Sequence, residues 1–150
     1  MQAHERITAA INAATAKGRA ALVPFITAGY PQPGDFIATL QAVAVVGDVV
    51  ELGIPFSDPM ADGVTIQRSS FRALQQGVSL KWIFEQLDAA QGKFDAPLVM
   101  MSYLNPLLHL AMTRWQSVRW QPVFTASSFP TCRLRKAPSF ARRWSIKGSV

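Results

Sequence analysis

The chain has 150 residues, 49% of them hydrophobic, with 15 Lys and Arg against 9 Asp and Glu for a formal net charge of +6. That length and composition allow one domain with a core and exclude a membrane span, since no apolar run reaches about 18 residues. The opening MQAHERITAAINAATAKGR carries Glu5 and no unbroken apolar block, so it does not read as a secretory signal. The single Cys132 excludes an internal disulfide framework and fits a reducing, cytoplasmic setting.

In chain order, His4 to Lys17 places Ile7, Ala10, Ile11 and Ala14 at helical spacing, with Gly18 as a stop. Ala20 to Thr27 is a short apolar run that reads as a buried strand. Pro31, Pro33 and Gly34 make a turn, and Asp35 is placed to cap a helix running through Val46, with Gly47 as its stop. Val49 to Leu52 reads as a second strand, followed by a loop from Gly53 to Gly63. A helix is expected over Thr65 to Gln76 with Ile66, Phe71 and Leu74 as its buried positions, stopped by Gly77. Ser79 is a candidate N-cap for a further helix, Leu80 to Gln91, and Pro97 to Met101 reads as a third strand. Apolar strands alternating with helices indicate parallel βα units.

The charge is unevenly placed. Residues 1–112 hold seven Lys/Arg and nine Asp/Glu, a net of −2, whereas residues 113–150 hold eight basic residues and no acidic one. Three of the four tryptophans (Trp115, Trp120 and Trp144) and Cys132 also fall in that second part. The chain is therefore divided into a 1–112 α/β portion and a 113–150 basic tail.

Functional residues in parallel α/β folds lie at the C-terminal ends of strands and in the loops that follow. Glu51 lies near the end of the second strand, and Asp58 and Asp62 lie in the loop after it. A carboxylate at a strand end in apolar surroundings can serve as general acid and base; an ordinary ion-paired loop carboxylate is the alternative. Four blocks sharpen the choice: PFITAGYP (Pro24 to Pro31), ELGIPFSDPMADG (Glu51 to Gly63), IQRSS (Ile66 to Ser70) and MSYLNP (Met101 to Pro106). In that order and spacing, across about residues 5–110, the chain resembles the tryptophan synthase α subunit family.

The resemblance implies a (β/α)8 barrel, of which three βα units are expected in this chain, and a lyase of tryptophan biosynthesis. That lyase splits indole-3-glycerol phosphate into indole and glyceraldehyde 3-phosphate by retro-aldol cleavage. By motif, Glu51 corresponds to the acid/base carboxylate and Asp62 to the carboxylate that accepts the indole N–H. Phe25 and Tyr103 correspond to residues flanking the indole ring, with core packing as the alternative for Phe25. Pro55, Asp58, Asn105 and Pro106 correspond to the surface that meets a β subunit. That partner holds pyridoxal phosphate, and no cofactor is expected in this chain. Val64 departs from the family, which usually has proline after ADG. His4 and His109 match no catalytic position.

From about Ala111 the resemblance stops, and the tail MTRWQSVRWQPVFTASSFPTCRLRKAPSFARRWSIKGSV follows no clear period. Interleaved basic and aromatic residues fit single-stranded nucleic acid, but no recognisable module accompanies them and no nucleic-acid partner is expected. A shifted reading frame accounts for the tail better. When the third base of each codon is joined to the first two of the next, Ser128 to Arg133 permits VPDLP, the family's continuation. The tail is accordingly expected to be a frameshifted, poorly ordered segment, and the truncated chain to be inactive. Two alternatives remain: a non-catalytic fragment that keeps the β-subunit contact loop, and another phosphate-handling barrel enzyme.

Overall fold

The computed structural model describes residues 3–107 and the strand at 123–126. Helix α1 spans Ala3–Ala16 and ends where Gly18 adopts φ +73°, a left-handed conformation that closes the helix without a side-chain clash. Strand β1 is Phe25–Thr27, shorter than the expected Ala20–Thr27. The shortening has a local cause. Pro24 has no N–H to give a ladder, and the Leu22 N–H donates to the Asp48 carboxylate at 2.8 Å instead.

A 3-10 turn, Pro33–Asp35, leads into α2, Phe36–Val46. Asp35 sits at the N-cap as expected, but its side chain makes no capping hydrogen bond. Strand β2 is Val50–Gly53, α3 is Val64–Gln75 and α4 is Leu80–Ala89. Ser79 caps α4 as its sequence position implied, accepting from the Trp82 N–H at 3.2 Å. Strand β3 is Leu98–Ser102, and residues 104–107 begin a further helical turn.

The three-strand expectation is one short. Val123–Ala126 forms a fourth strand, β4, parallel to β3 with Val99 opposite Val123 and Ser102 opposite Ala126. The tail lacks a period long enough to flag it, yet VFTA combines β-branched and aromatic residues that favour a strand once a parallel neighbour offers its edge. The remainder of the tail, residues 127–150, and the stretch 108–122 lie outside the described residues. The expected boundary at 112, the poor order of the tail, His109 and Cys132 fall there.

The sheet order is β1-β2-β3-β4, all parallel. Strands in sequential order, with no reversal, wind in one direction, as in a barrel rather than in a doubly wound sheet. Burial alternates along the strands. Val50, Leu52, Leu98 and Met100 are buried against Phe36 and Leu40 of α2, Ala73 of α3, and Ile83, Phe84 and Leu87 of α4. Glu51, Val99 and Met101 are half-buried on the opposite face. The helices therefore cover one face, and the other carries the polar group.

Helix α3 packs differently from expectation. Phe71 is 62% exposed, while Ser69, Ser70 and Ala73 form the buried stripe. Small residues let the helix approach the sheet closely, and the two buried hydroxyls of Thr27 and Ser69 satisfy each other at 2.7 Å.

Candidate functional site

The site is assembled at the C-terminal ends of the strands. Gly53 ends β2, and the loop after it folds back over the strand ends before Val64 opens α3. Its return is fixed by Gln67, whose side-chain amide donates to the carbonyls of Pro59 (3.2 Å) and Asp62 (2.9 Å). On the far side the loop is fixed by Tyr103, just past the end of β3: its hydroxyl accepts from the Ala61 N–H at 3.0 Å. The Tyr103 ring also lies 5.1 Å from that of Phe56, centroid to centroid. Burial pushes the Tyr103 phenol above its ordinary pKa, the Ala61 N–H opposes the rise, and the nearby Asp62 carboxylate adds to it.

These contacts enclose a cleft of about 250 Å³, open mouth included, lined by Phe25, Asp62, Ile66, Ser70, Met101 and Tyr103, among others. Three of the four residues expected at the reacting site and its pocket, Phe25, Asp62 and Tyr103, thus meet in one place. Glu51 does not line this cleft. It stands on the same sheet face one row further from the strand ends, opposite Phe25 on β1 and Val99 on β3. Its two register neighbours are apolar, so the carboxylate is the polar group of an otherwise hydrophobic row.

Of the residues expected at a partner surface, Asp58 and Asn105 are exposed, Pro106 is half-buried and Pro55 is buried. Asp58 accepts from the Ser57 hydroxyl at 2.7 Å, which orders the outer bend of the loop. Met60, next in the bend but one, is 80% exposed.

Several lining residues were not singled out by sequence. Met101 follows from strand alternation, since it lies on the face of Glu51, two residues beyond Val99. Gly53 is subtler: a Cβ on it would overlap the Phe25 ring. The glycine of ELGIPF is what lets an aromatic side chain lie across the neighbouring strand.

The sequence model of the family described as "Tryptophan synthase alpha chain" matches residues 11–120. The chain belongs to the tryptophan synthase α chain family. The match passes Ala111, where the sequence resemblance was expected to stop. Among curated relatives, the tryptophan synthase alpha chain of Nitratidesulfovibrio vulgaris (strain DP4) is 45% identical over 111 residues, covering 73% of this chain and 43% of the relative. That of Cupriavidus taiwanensis is 49% identical over 104 residues, 68% of this chain and 39% of the relative.

Solved structures agree. The tryptophan synthase subunit alpha of Legionella pneumophila str. Paris superposes with a TM-score of 0.76 at 31% identity, covering 93% of this chain and 54% of that one. A tryptophan synthase from M. tuberculosis gives a TM-score of 0.75 at 26% identity, with 92% and 55% coverage. The chain therefore spans less than half the length of these curated relatives. The described residues of this chain hold four parallel strands and the loop that carries Asp62.

Proposed function

We propose that these residues supply the acid/base and indole-recognition side of a lyase that cleaves indole-3-glycerol phosphate to indole and glyceraldehyde 3-phosphate. The supporting observation is the convergence of Asp62, Phe25 and Tyr103 on one cleft above the sheet face that carries Glu51. Glu51 protonates the indole C3 and takes the proton of the glycerol hydroxyl, so that the carbon–carbon bond breaks as the aldehyde forms. Protonation at C3 places positive charge on the indole nitrogen, and a fixed Asp62 carboxylate lowers the energy of that intermediate. Phe25 and Tyr103 supply apolar surface to the ring. The step draws on no cofactor in this chain; pyridoxal phosphate belongs to a β-subunit partner, which Asp58, Asn105 and Pro106 would meet.

The substrate phosphate needs a cradle that barrels of this kind commonly build after strands seven and eight. The cleft as it stands also has only about 10 Å³ of enclosed room, space for about one water molecule. The reaction is therefore assigned to these residues within a completed barrel. Fusing residues 1–107 to the remaining length of a relative and assaying indole release tests this. Glu51→Gln and Asp62→Asn should each lower kcat by about 10²–10⁴-fold, the usual contribution of a positioned acid/base group. Retention of full activity by Glu51→Gln would remove it from the reaction. Cleavage of a different sugar phosphate in place of this substrate would favour the other barrel-enzyme reading.

The composition of residues 113–150 supports a second proposal, that this stretch is the family's continuation read in a shifted frame. Sequencing the DNA from the codon of Tyr103 onward decides it. A second frame encoding VPDLP is the expected result, and its absence overturns the idea.

A further inference from the structure

Tyr103 stands in the cleft wall, but its hydroxyl points away from a simple ring-flanking role. It accepts from the backbone N–H of Ala61, the residue immediately before Asp62. The bond joins the loop after β2 to the segment after β3, 42 residues apart. The ring that carries the hydroxyl is itself held, by the Phe56 ring on one side and by 93% burial overall. Asp62 has a second anchor behind it, since its carbonyl accepts from Gln67 of α3. The backbone on both sides of the Asp62 side chain is thus fastened to different elements.

We propose that Tyr103 is a positioning residue: its hydroxyl ties the Asp62 loop to the end of β3 and sets where the Asp62 carboxylate stands in the cleft. This rests on the reading of Asp62 as the group that receives a ligand N–H, and it adds what holds that group in place. A phenylalanine at 103 would keep the ring, its contact with Phe56 and its burial. It would lose the one atom that accepts from the Ala61 N–H. The Ala61 N–H, part-buried, would then have to find water or leave the cleft wall.

The test uses the 150-residue chain and Tyr103→Phe, with amide hydrogen exchange read residue by residue. The Ala61 amide should exchange at least about tenfold faster in the variant. The Ile54 amide, held by the Met101 carbonyl, and the Val78 amide, held by Ala73, should be unchanged. Equal acceleration at all three sites would mean that the hydroxyl supports the whole fold, and unchanged exchange at Ala61 would mean that it fastens nothing. Either result overturns the proposal.

A second measurement leaves Tyr103 in place. Burial is the first cause of the raised Tyr103 pKa and remains in Asp62→Asn, but removing the carboxylate should lower the Tyr103 phenol pKa, and no change would contradict the proximity on which the tether depends. Binding of indole, followed by the same exchange experiment, separates the two ideas. Loss of Ala61 protection in Tyr103→Phe together with no indole effect at the cleft in the fusion that completes the barrel leaves the tether standing and removes the substrate reading.

Discussion

Phe25 lies where a side chain on Gly53 would have to be, so the two residues are one design: a ring on β1 and a vacancy on β2. Gly53→Ala should force the ring aside and cost about 1–3 kcal/mol, the usual penalty for overfilling a packed site. Urea denaturation reads the loss, and adding Phe25→Leu should recover part of it; no recovery would mean that the ring is not what the new methyl meets. A second residue-scale effect concerns acid. The Arg19 guanidinium, paired with Asp48 at 2.7 Å through both oxygens, and the Leu22 N–H hold the Asp48 carboxyl well below its ordinary pKa. A carboxyl depressed on folding adds stability above its unfolded value, about 3.9, and that contribution fades as pH falls below it. The parent chain should therefore be more stable than Asp48→Asn at pH 6, with the gap narrowing below about pH 4. A gap that is constant from pH 6 to pH 3 would show that ionisation of Asp48 plays no part.

The elements were legible where a periodic signal met a stop signal. Helix α4 announced itself through Ser79 and its apolar stripe, and α1 through its spacing and Gly18. Helix α3 misled because Phe71 looks like a core residue, while the true contact stripe is made of serines and an alanine; close packing of a helix on a sheet rewards small volume, and hydropathy does not register that. The length of β1 misled for a different reason: the backbone donor of Leu22 is spent on Asp48, a partner 26 residues away that no local pattern reveals. At the start of α3 the sequence departs from its family, and the structure says what the departure does. Val64 is the first helical residue and is 62% exposed, preceded by Gly63 at ψ 162°, an extended conformation that a following proline tolerates. The N–H of a first helical residue has no intrahelical partner, and proline there has a preset φ. Val64→Pro should therefore stabilise the chain by about 0.4–1 kcal/mol through the unfolded state, seen as a higher urea midpoint with unchanged slope. A lower midpoint would show that the loop before α3 is not in the conformation described.

At the scale of the molecule, the fold class and the Asp62 loop could be read from ELGIPFSDPMADG and its neighbours, but β4 could not, because a four-residue strand carries almost no periodic signal by itself. Among the described residues, four parallel strands in sequential order have β1 and β4 as their edges, and closing such a sheet into a barrel takes eight. The helix-covered face is packed, whereas the face of Glu51, Val99 and Met101 is half-buried and meets no opposing strands among the described residues. Two consequences follow for a polypeptide of these 150 residues taken alone. It should release no measurable indole from indole-3-glycerol phosphate, because the cleft lined by Asp62, on the sheet face that carries Glu51, has no phosphate cradle among the described residues, and positioning of both substrate ends is what makes such groups effective. It should also associate through its open edges, since unpaired parallel strands with apolar flanks template further pairing, and sedimentation should show species larger than a monomer at micromolar concentration. Supplying in trans the strands that complete such a barrel should reverse both together, shifting the chain to a single complex and giving indole release. Steady turnover by the isolated chain would show that half a barrel is enough to hold this substrate, and the assignment of the reaction to a completed barrel would have to be given up.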